Sequence, residues 1–264
     1  MEIAGPERVS GVEAVIRRAA GATGVDFGFL MKTARRESGL DPQARAKTSS
    51  ATGLFQFVDQ TWLQALKRFG PRHGFGAAAA AIETGADGRL HVAEAGARRA
   101  VLGLRLDPRA SALMAGEMTA EHAAYLKGRT GRDPTAADLY AAHFLGAGGS
   151  ARLIEAVQSR PAAPAASLFP EAAQANHAVF YHEGRARSVQ EVYAALGRIA
   201  GDGDRPVSAS GPEKELLSER ELALAQRLDR VQRDRALLDV MSSRNGSGLL
   251  QAQLLGAFAP ASDS

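Results

Sequence analysis

The chain contains no cysteine among its 264 residues. Disulfide bonds, thiolate metal ligands and a cysteine nucleophile are therefore excluded. The six histidines form no HExxH or comparable ligand spacing, so we expect neither a metal nor any other cofactor. The lack of cysteine does not assign a compartment, because many exported proteins also lack it.

Long apolar runs are also missing. No stretch approaches the roughly 18 apolar residues that cross a bilayer, and the N-terminal segment MEIAGPERVSGVEAVIRRAAG has no uninterrupted apolar core of a secretory signal. The sequence predicts no transmembrane segment and shows no signal peptide. Export would depend on a leader outside this sequence or on a route that it does not show.

The charge is mild and aromatic residues are few. The formal net charge is +3, and only 6% of residues are aromatic. Arginine and lysine are scattered instead of forming a basic stripe interleaved with aromatics, so we expect no nucleic-acid partner. A slightly basic surface suits an acidic polymer, and it equally suits a protein that merely stays in solution.

Helical periodicity dominates the first 200 residues and predicts a mainly α fold. The exception is a small β-hairpin expected around 178–188, where His182-Glu183-Gly184-Arg185 forms the turn. We interpret residues 1–200 as one domain and the Gly- and Pro-rich segment 201–212 as a linker. Residues 213–264 form a charged tail with a helical extension, in which a large apolar residue recurs at every seventh position from Leu217 to Leu238.

One predicted helix carries an acid on its apolar face. Asp26 is a natural N-cap for Phe27–Ser38, and Gly39 ends the helix. Glu37 continues the apolar stripe of this helix, whereas Arg35 and Arg36 are expected to point elsewhere. Burial disfavours a charged carboxylate, and so does the negative end of a helix dipole. Such an acid suits proton donation to a leaving oxygen.

A polar loop and further helices follow. Asp59 is expected to cap the next helix, which contains Trp62. Thr135 starts a helix over 136–145 that ends in the turn 146–149, after which Ser150 caps another helix.

The order of residues around Glu37 resembles the catalytic domain of the soluble lytic transglycosylase (SLT) family. The chain reads Glu37-Ser38-Gly39-Leu40-Asp41-Pro42 and then Ser49, Ala51 and Gly53-Leu54-Phe55-Gln56, where the family has Glu-Ser-x-hydrophobic-x-Pro and Ser-x-x-Ala-x-Gly-Leu-hydrophobic-Gln. The resemblance covers about 25–196 and implies a lysozyme-like fold.

By position, the resemblance implies that Glu37 is the catalytic acid. It also implies substrate-binding roles for residues of the two motifs, with Ser49 or Ser50 polarising the N-acetyl group of the reacting sugar. The expected substrate-binding set from these motifs is Ser38, Ser49, Ser50, Phe55, Gln56 and Phe57.

A third family motif, Ala-Tyr-Asn-x-Gly-x-Gly, has a looser counterpart at 142–148. His143 stands at the tyrosine position and Phe144 at the asparagine position. His143 either takes over the hydrogen bonding of the tyrosine or is a core residue. The family also places a late tyrosine against the acid; Tyr193 is the candidate and Tyr181 the reserve, and each is equally compatible with packing.

The resemblance implies cleavage of the MurNAc-β-1,4-GlcNAc bond of peptidoglycan glycan strands without water, leaving 1,6-anhydro ends. Hydrolases usually need two carboxylates, and only Asp41, Asp59 and Glu83 are conceivable second acids here. A hydrolase resembling goose-type lysozyme is one alternative. Another is a non-catalytic cell-wall-binding assembly factor.

The substrate implies a periplasmic or cell-envelope location. The charged tail suggests a protein partner in an envelope machine of the flagellar, pilus or secretion type.

Overall fold

A computed structural model describes residues 6–47 and 49–201 of the chain. The predicted linker beyond Gly201 and the predicted C-terminal tail lie outside the described residues. The described part divides between Glu121 and His122 into two compact units. None of the described helices is long and apolar enough to cross a membrane.

The first unit consists mainly of short helices. They are α1 (Pro6–Thr23), α2 (Phe27–Ser38), α3 (Asp59–Phe69), α4 (Gly76–Ala80), α5 (Ala95–Gly103) and the first part of α6 (Pro108–Thr130). Two 3-10 turns, Gly70–His73 and Leu104–Leu106, follow α3 and α5. A two-stranded antiparallel hairpin joins α4 to α5, with β1 (Glu83–Thr84) paired to β2 (Leu90–His91). The one hairpin expected from the sequence lies around 178–188, so this hairpin is additional to it.

The core of this unit lies beneath the apolar faces of its helices. Trp62 is fully buried on α3, and its indole nitrogen donates a hydrogen bond to Val101 O at 2.8 Å. Phe57 meets the Trp62 ring edge-on, with the ring centroids 5.3 Å apart. This cluster fixes α3 against the end of α5, next to the loop that follows α2.

The second unit is built on α7 (Ala136–Ser159) and α11 (Val189–Ala200), which pack on each other. Between them lie the short helices α8 (Ala165–Leu168), α9 (Pro170–Ala175) and α10 (His177–Phe180) and a second hairpin, β3 (Tyr181–His182) with β4 (Arg185–Ala186). The hairpin predicted from the sequence is present at the expected turn. Its strands are shorter than expected, because 177–180 are helical.

The long helix α7 is bent sharply at Gly146, whose φ of 75° and ψ of 160° are not helical. Ser150 Oγ donates to Asp138 O at 2.7 Å, although 12 residues separate them. Those residues would be about 18 Å apart along a straight helix at 1.5 Å rise per residue. The two halves of α7 therefore fold back on each other. The predicted break is correct, but Ser150 is buried in the second half and does not cap it.

Local capping signals explain where α7 and α11 begin, whereas α3 begins differently from the expectation. Thr135 and Asp138 form a reciprocal capping box at the start of α7, and Ser188 and Glu191 form another at the start of α11. Asp59 differs from the expectation. Val58 is the N-cap of α3, and Asp59 is the first helical residue, with its carboxylate bound to Arg105.

Candidate active site

Both ends of α2 are fixed by capping interactions, and this determines where Glu37 lies. Asp26 Oδ1 accepts a hydrogen bond from the Phe29 amide at 2.7 Å. Gly39, in the left-handed conformation with φ 63°, closes the C-terminal end. Leu30, Ala34 and Glu37 form the buried face between these caps. The predicted boundaries of this helix and the burial of Glu37 are confirmed.

Glu37 is buried beside a positive charge. Its side chain is 6% exposed, and its Oε1 lies 3.4 Å from Nε of Arg36, whose side chain is 15% exposed. The expectation that Arg36 points elsewhere is therefore wrong. The two residues leave the helix in different directions. The long side chain of Arg36 can nevertheless turn back along the end of the helix and bring its guanidinium to the carboxylate of Glu37.

Ser38 links the end of α2 to the loop that follows. Its Oγ lies 3.0 Å from Ala34 O and 2.9 Å from Leu54 O. The first contact is within the helix, whereas the second spans 16 residues. Ser38 is therefore engaged with backbone carbonyls, and its predicted contact with substrate stays a prediction.

The segment 49–57, here called the motif loop, has a defined backbone. Thr52 forms isolated antiparallel bridges to both Arg45 and Phe57. Gly53 adopts φ 82°, and its amide donates to Ala44 O at 2.8 Å. A Cβ built on Gly53 would lie 1.9 Å from Arg105 O, so only glycine fits there.

Gln56 holds the motif loop together from within. It adopts φ 50°, which is uncommon for a residue other than glycine. Its Nε2 donates to Gly53 O at 2.8 Å and lies 3.3 Å from Ala44 O. Its Oε1 is buried without a hydrogen-bond partner among the described residues.

The remaining predicted residues of the motif loop differ in exposure. Ser49 and Ser50 are exposed. Their hydroxyls accept hydrogen bonds from the amides of Ala51 at 3.3 Å and Asp59 at 3.2 Å. Phe55 and Phe57 are 5% and 7% exposed, which makes them part of the core. Their predicted roles towards a sugar stay predictions.

Arg105 is a residue at this site that the sequence interpretation missed. It is buried, and its Nη1 lies 2.8 Å from Ser50 O, 3.0 Å from Phe57 O and 2.8 Å from Asp59 Oδ1. Burial lowers the pKa of Arg105, and the neighbouring carboxylate of Asp59 opposes that shift. The available signal was a single arginine within the otherwise apolar run Val101–Leu106, since a charge in such a run needs a buried partner.

The three other acids considered as catalytic groups already have contacts. Asp41 Oδ1 accepts from the Gln43 amide at 2.9 Å in a turn. Asp59 is paired with Arg105. Glu83 is exposed on the β1–β2 hairpin, 3.6 Å from His91 Nε2. No group of three His, Cys, Asp or Glu side chains with metal-binding geometry occurs within residues 6–47 and 49–201.

The candidate residues at 143 and 144 belong to the second unit. His143 is exposed and stacks on Tyr140, with the ring centroids 6.1 Å apart. Phe144 stacks on Phe180 at 6.4 Å. Their placement against Glu37 stays a prediction.

The two candidate tyrosines also lie in the second unit. The Tyr193 hydroxyl donates to Asp138 Oδ1 at 2.8 Å, and Asp138 is held by Arg132 Nη1 at 2.7 Å on its other oxygen. Burial raises the pKa of Tyr193. Tyr181 stacks on His177 with the ring centroids 4.2 Å apart. Both aromatics have packing or hydrogen-bonding roles within their own unit, and their predicted contact with Glu37 stays a prediction.

Residues 14–77 match the family model of the transglycosylase SLT domain. The matched segment runs from α1 into α4 and includes Glu37, Ser38 and the whole motif loop, while Arg105, His143 and Tyr193 lie beyond it. Members of this family are peptidoglycan lytic transglycosylases with a lysozyme-like fold. The resemblance expected from the sequence is confirmed for residues 14–77, which are similar to the transglycosylase SLT domain.

Proposed function

We propose that this protein is a peptidoglycan lytic transglycosylase that cleaves the MurNAc-β-1,4-GlcNAc bond without water and uses Glu37 as its one acid and base. The observation that carries the proposal is the position of Glu37, buried at the capped end of α2 with Arg36 Nε 3.4 Å from its carboxylate. The motif loop is hydrogen-bonded to the same end of α2 through Ser38.

A single carboxyl group can serve both steps of such a reaction. In the first step the protonated Glu37 donates its proton to the leaving glycosidic oxygen, and the N-acetyl group of the substrate stabilises the cationic carbon. In the second step the resulting carboxylate removes the proton from the C6 hydroxyl, whose oxygen closes the 1,6-anhydro ring. At the end of the second step Glu37 carries a proton again and is ready for the next cycle.

The contacts of the other acids favour this reaction over hydrolysis. A hydrolase would need a second carboxylate to activate water or to attack the sugar. Asp41 and Asp59 are held by a turn and by Arg105, and Glu83 is exposed on a hairpin beside His91. A goose-type lysozyme reaction would require one of them to leave these contacts.

The decisive experiment is digestion of purified sacculi in water enriched in oxygen-18, followed by mass spectrometry of the muropeptides. The proposed reaction gives 1,6-anhydro products without oxygen-18, whereas hydrolysis gives reducing ends that carry it. We expect Glu37→Gln to reduce turnover by at least about 100-fold, the lower bound for loss of a general acid and base. Glu83→Gln, which changes an exposed acid in the same way, is the matched control.

Two outcomes would reject the proposal. New reducing ends formed in place of 1,6-anhydro ends would establish the hydrolase instead. Binding of sacculi without any turnover by the full chain would establish the cell-wall-binding assembly factor. If Glu83→Gln lost as much activity as Glu37→Gln, the assignment of Glu37 as the sole acid would fail.

The location and the partner follow from the substrate and the tail as parts of this proposal. We propose a periplasmic or cell-envelope location, because peptidoglycan lies there, and fractionation of cells tests it. We propose that residues 213–264 recruit an envelope machine of the flagellar, pilus or secretion type. Identical partners in pull-downs with and without these residues would contradict that role.

A further inference from the structure

Arg105 occupies an unusual position for a charged residue. It lies in the 3-10 turn Leu104–Leu106 that follows α5, and its side chain is 8% exposed. Its Nε donates to Leu102 O at 3.0 Å, which orients the guanidinium within its own turn. A buried guanidinium is tolerated only where partners replace its water. The role of Arg105 can therefore be inferred from the groups that its guanidinium contacts.

Those partners lie on the motif loop and directly after it. Nη1 reaches the carbonyls of Ser50 and Phe57, near the two ends of the loop, and the carboxylate of Asp59 at the start of α3. The Cα of Gly53 approaches the Arg105 carbonyl so closely that a Cβ there would lie 1.9 Å from the oxygen. Both the side chain and the main chain of Arg105 thus contact the loop.

The loop is held from α2 as well. Ser38, next to Glu37, contacts Leu54 O at 2.9 Å. The loop is thus hydrogen-bonded to the end of α2 on one side and to Arg105 on the other. Loss of the Arg105 contacts would leave Ser50 O, Phe57 O and Asp59 without this donor, while the contact at Ser38 would remain.

We propose that Arg105 is a positioning residue that fixes the motif loop relative to Glu37 by holding Ser50, Phe57 and Asp59 together. The inference rests on the proposed function for the reaction that the loop serves, although Arg105 itself lies outside the segment that matches the family model. Arg105 is buried behind the loop and acts through it.

The test compares three variants of the full chain. Arg105→Met keeps much of the stem volume and removes every donor. Arg105→Lys keeps a charge and, because three of the contacts converge on the single nitrogen Nη1, its ammonium can replace part of them. Arg99→Met makes the same chemical change at an exposed arginine of α5 and is the matched control.

Two measurements are made on each variant: amide hydrogen exchange resolved by peptide, and kcat and KM on soluble glycan strands. For Arg105→Met we expect exchange of 49–59 to accelerate by about tenfold or more while α2 amides are unchanged, because only a local opening is made easier. We expect kcat to fall by about 100-fold, since a misplacement of about 1 Å at a reacting centre can cost that much. Arg105→Lys should recover most of both losses, and Arg99→Met should match the unaltered protein.

Hydrogen exchange of residues 49–59 tests this inference independently of the reaction. Unchanged exchange of 49–59 in Arg105→Met overturns it whatever the activity, and so does a uniform increase across the whole first unit, which indicates a purely structural role. An unchanged kcat in Arg105→Met also overturns it. If the unaltered protein releases no anhydro sugar, the proposed function fails, while selective exchange of the loop still supports Arg105 as the residue that fixes it.

Discussion

At the scale of single residues, Gly53 is the position where the backbone of the site leaves no room for another side chain. Its φ of 82° is strained for any residue with a Cβ, and that Cβ would meet Arg105 O at 1.9 Å. That oxygen belongs to the backbone, so it cannot rotate away. The family pattern Gly-Leu-x-Gln thus has a physical reason in this chain at its first position.

We predict that Gly53→Ala destabilises the protein by about 2–5 kcal/mol, the sum of the cost of left-handed backbone and of overpacking. Thermal denaturation followed by circular dichroism measures this loss. Gly103→Ala is the matched control, because Gly103 lies two residues before Arg105 in helical conformation with nothing within 4 Å of an added Cβ. An equal change in both variants would contradict the close contact at Gly53.

Also at this scale, Glu37 and Arg36 show how neighbouring residues can share one site. Helical periodicity separates their directions by about 100° per residue, and on that basis only Glu37 belongs to the buried face. The arginine side chain is long enough to return to the carboxylate at 3.4 Å. The position of the Arg36 charge next to Glu37 therefore depends on the side-chain conformation of Arg36, and helical periodicity does not predict side-chain conformation.

At the scale of elements, the path of α7 depends on a single residue. Gly146 has φ 75° and ψ 160°, a region that is almost confined to glycine. The fold-back at this residue brings Ser150 Oγ within 2.7 Å of Asp138 O. Asp138 in turn holds Arg132 and Tyr193, so the bend supports the hydrogen-bond network at the start of α7.

We predict that Gly146→Ala destabilises the second unit by about 1–3 kcal/mol, the usual cost of a residue held in such a region. The control is Gly128→Ala in α6, where an added Cβ meets nothing within 4 Å. That change should instead stabilise the protein by about 0.5–1 kcal/mol, because alanine favours helix over glycine. Thermal midpoints of the two variants should therefore move in opposite directions, and a shared direction would contradict the assigned bend.

At the scale of the whole molecule, stability is expected to depend on pH through His122. Burial lowers the pKa of His122 from 6.5 to about 4, with a smaller contribution from nearby His143. The unfolded chain therefore binds more protons than the folded one between pH 4 and 6.5, and stability falls as the pH drops through that window. Glu191, whose pKa Arg185 lowers from 4.5 to about 2, stays ionised in the folded protein throughout this window, whereas in the unfolded chain it begins to bind a proton at the lower end.

We predict that His122 contributes at most about 3 kcal/mol to the loss of stability on acidification from pH 7.5 to 4, from about 1.4 kcal/mol for each unit of pKa. The figure is an upper limit because part of the His122 surface is exposed. Urea unfolding at several pH values measures the slope. His122→Gln should reduce the dependence of the free energy of unfolding on pH. His182→Gln, at an exposed position, should leave that dependence unchanged. An unchanged slope in His122→Gln would contradict the prediction.

Much of the first unit could be predicted because its signals are local. The ends of α2 follow from Asp26 and Gly39, which lie within one turn of the helix that they cap. The burial of Glu37 follows from its spacing to Leu30 and Ala34. The capping box of Ser188 and Glu191 is equally local, because its partners are three residues apart.

The sequence by itself determined the helical class, the caps of α2, the N-terminal cap of α7, the break at Gly146 and the acid at the end of α2, since each depends on neighbours within a few residues. Only the tertiary structure decided that Asp59 binds Arg105 instead of capping α3, that Gly53 lies against a distant carbonyl, and that α7 folds back on itself. The physical reason is sequence distance. Arg105 meets Ser50 across 55 residues, and no local periodicity or propensity carries information about such a contact.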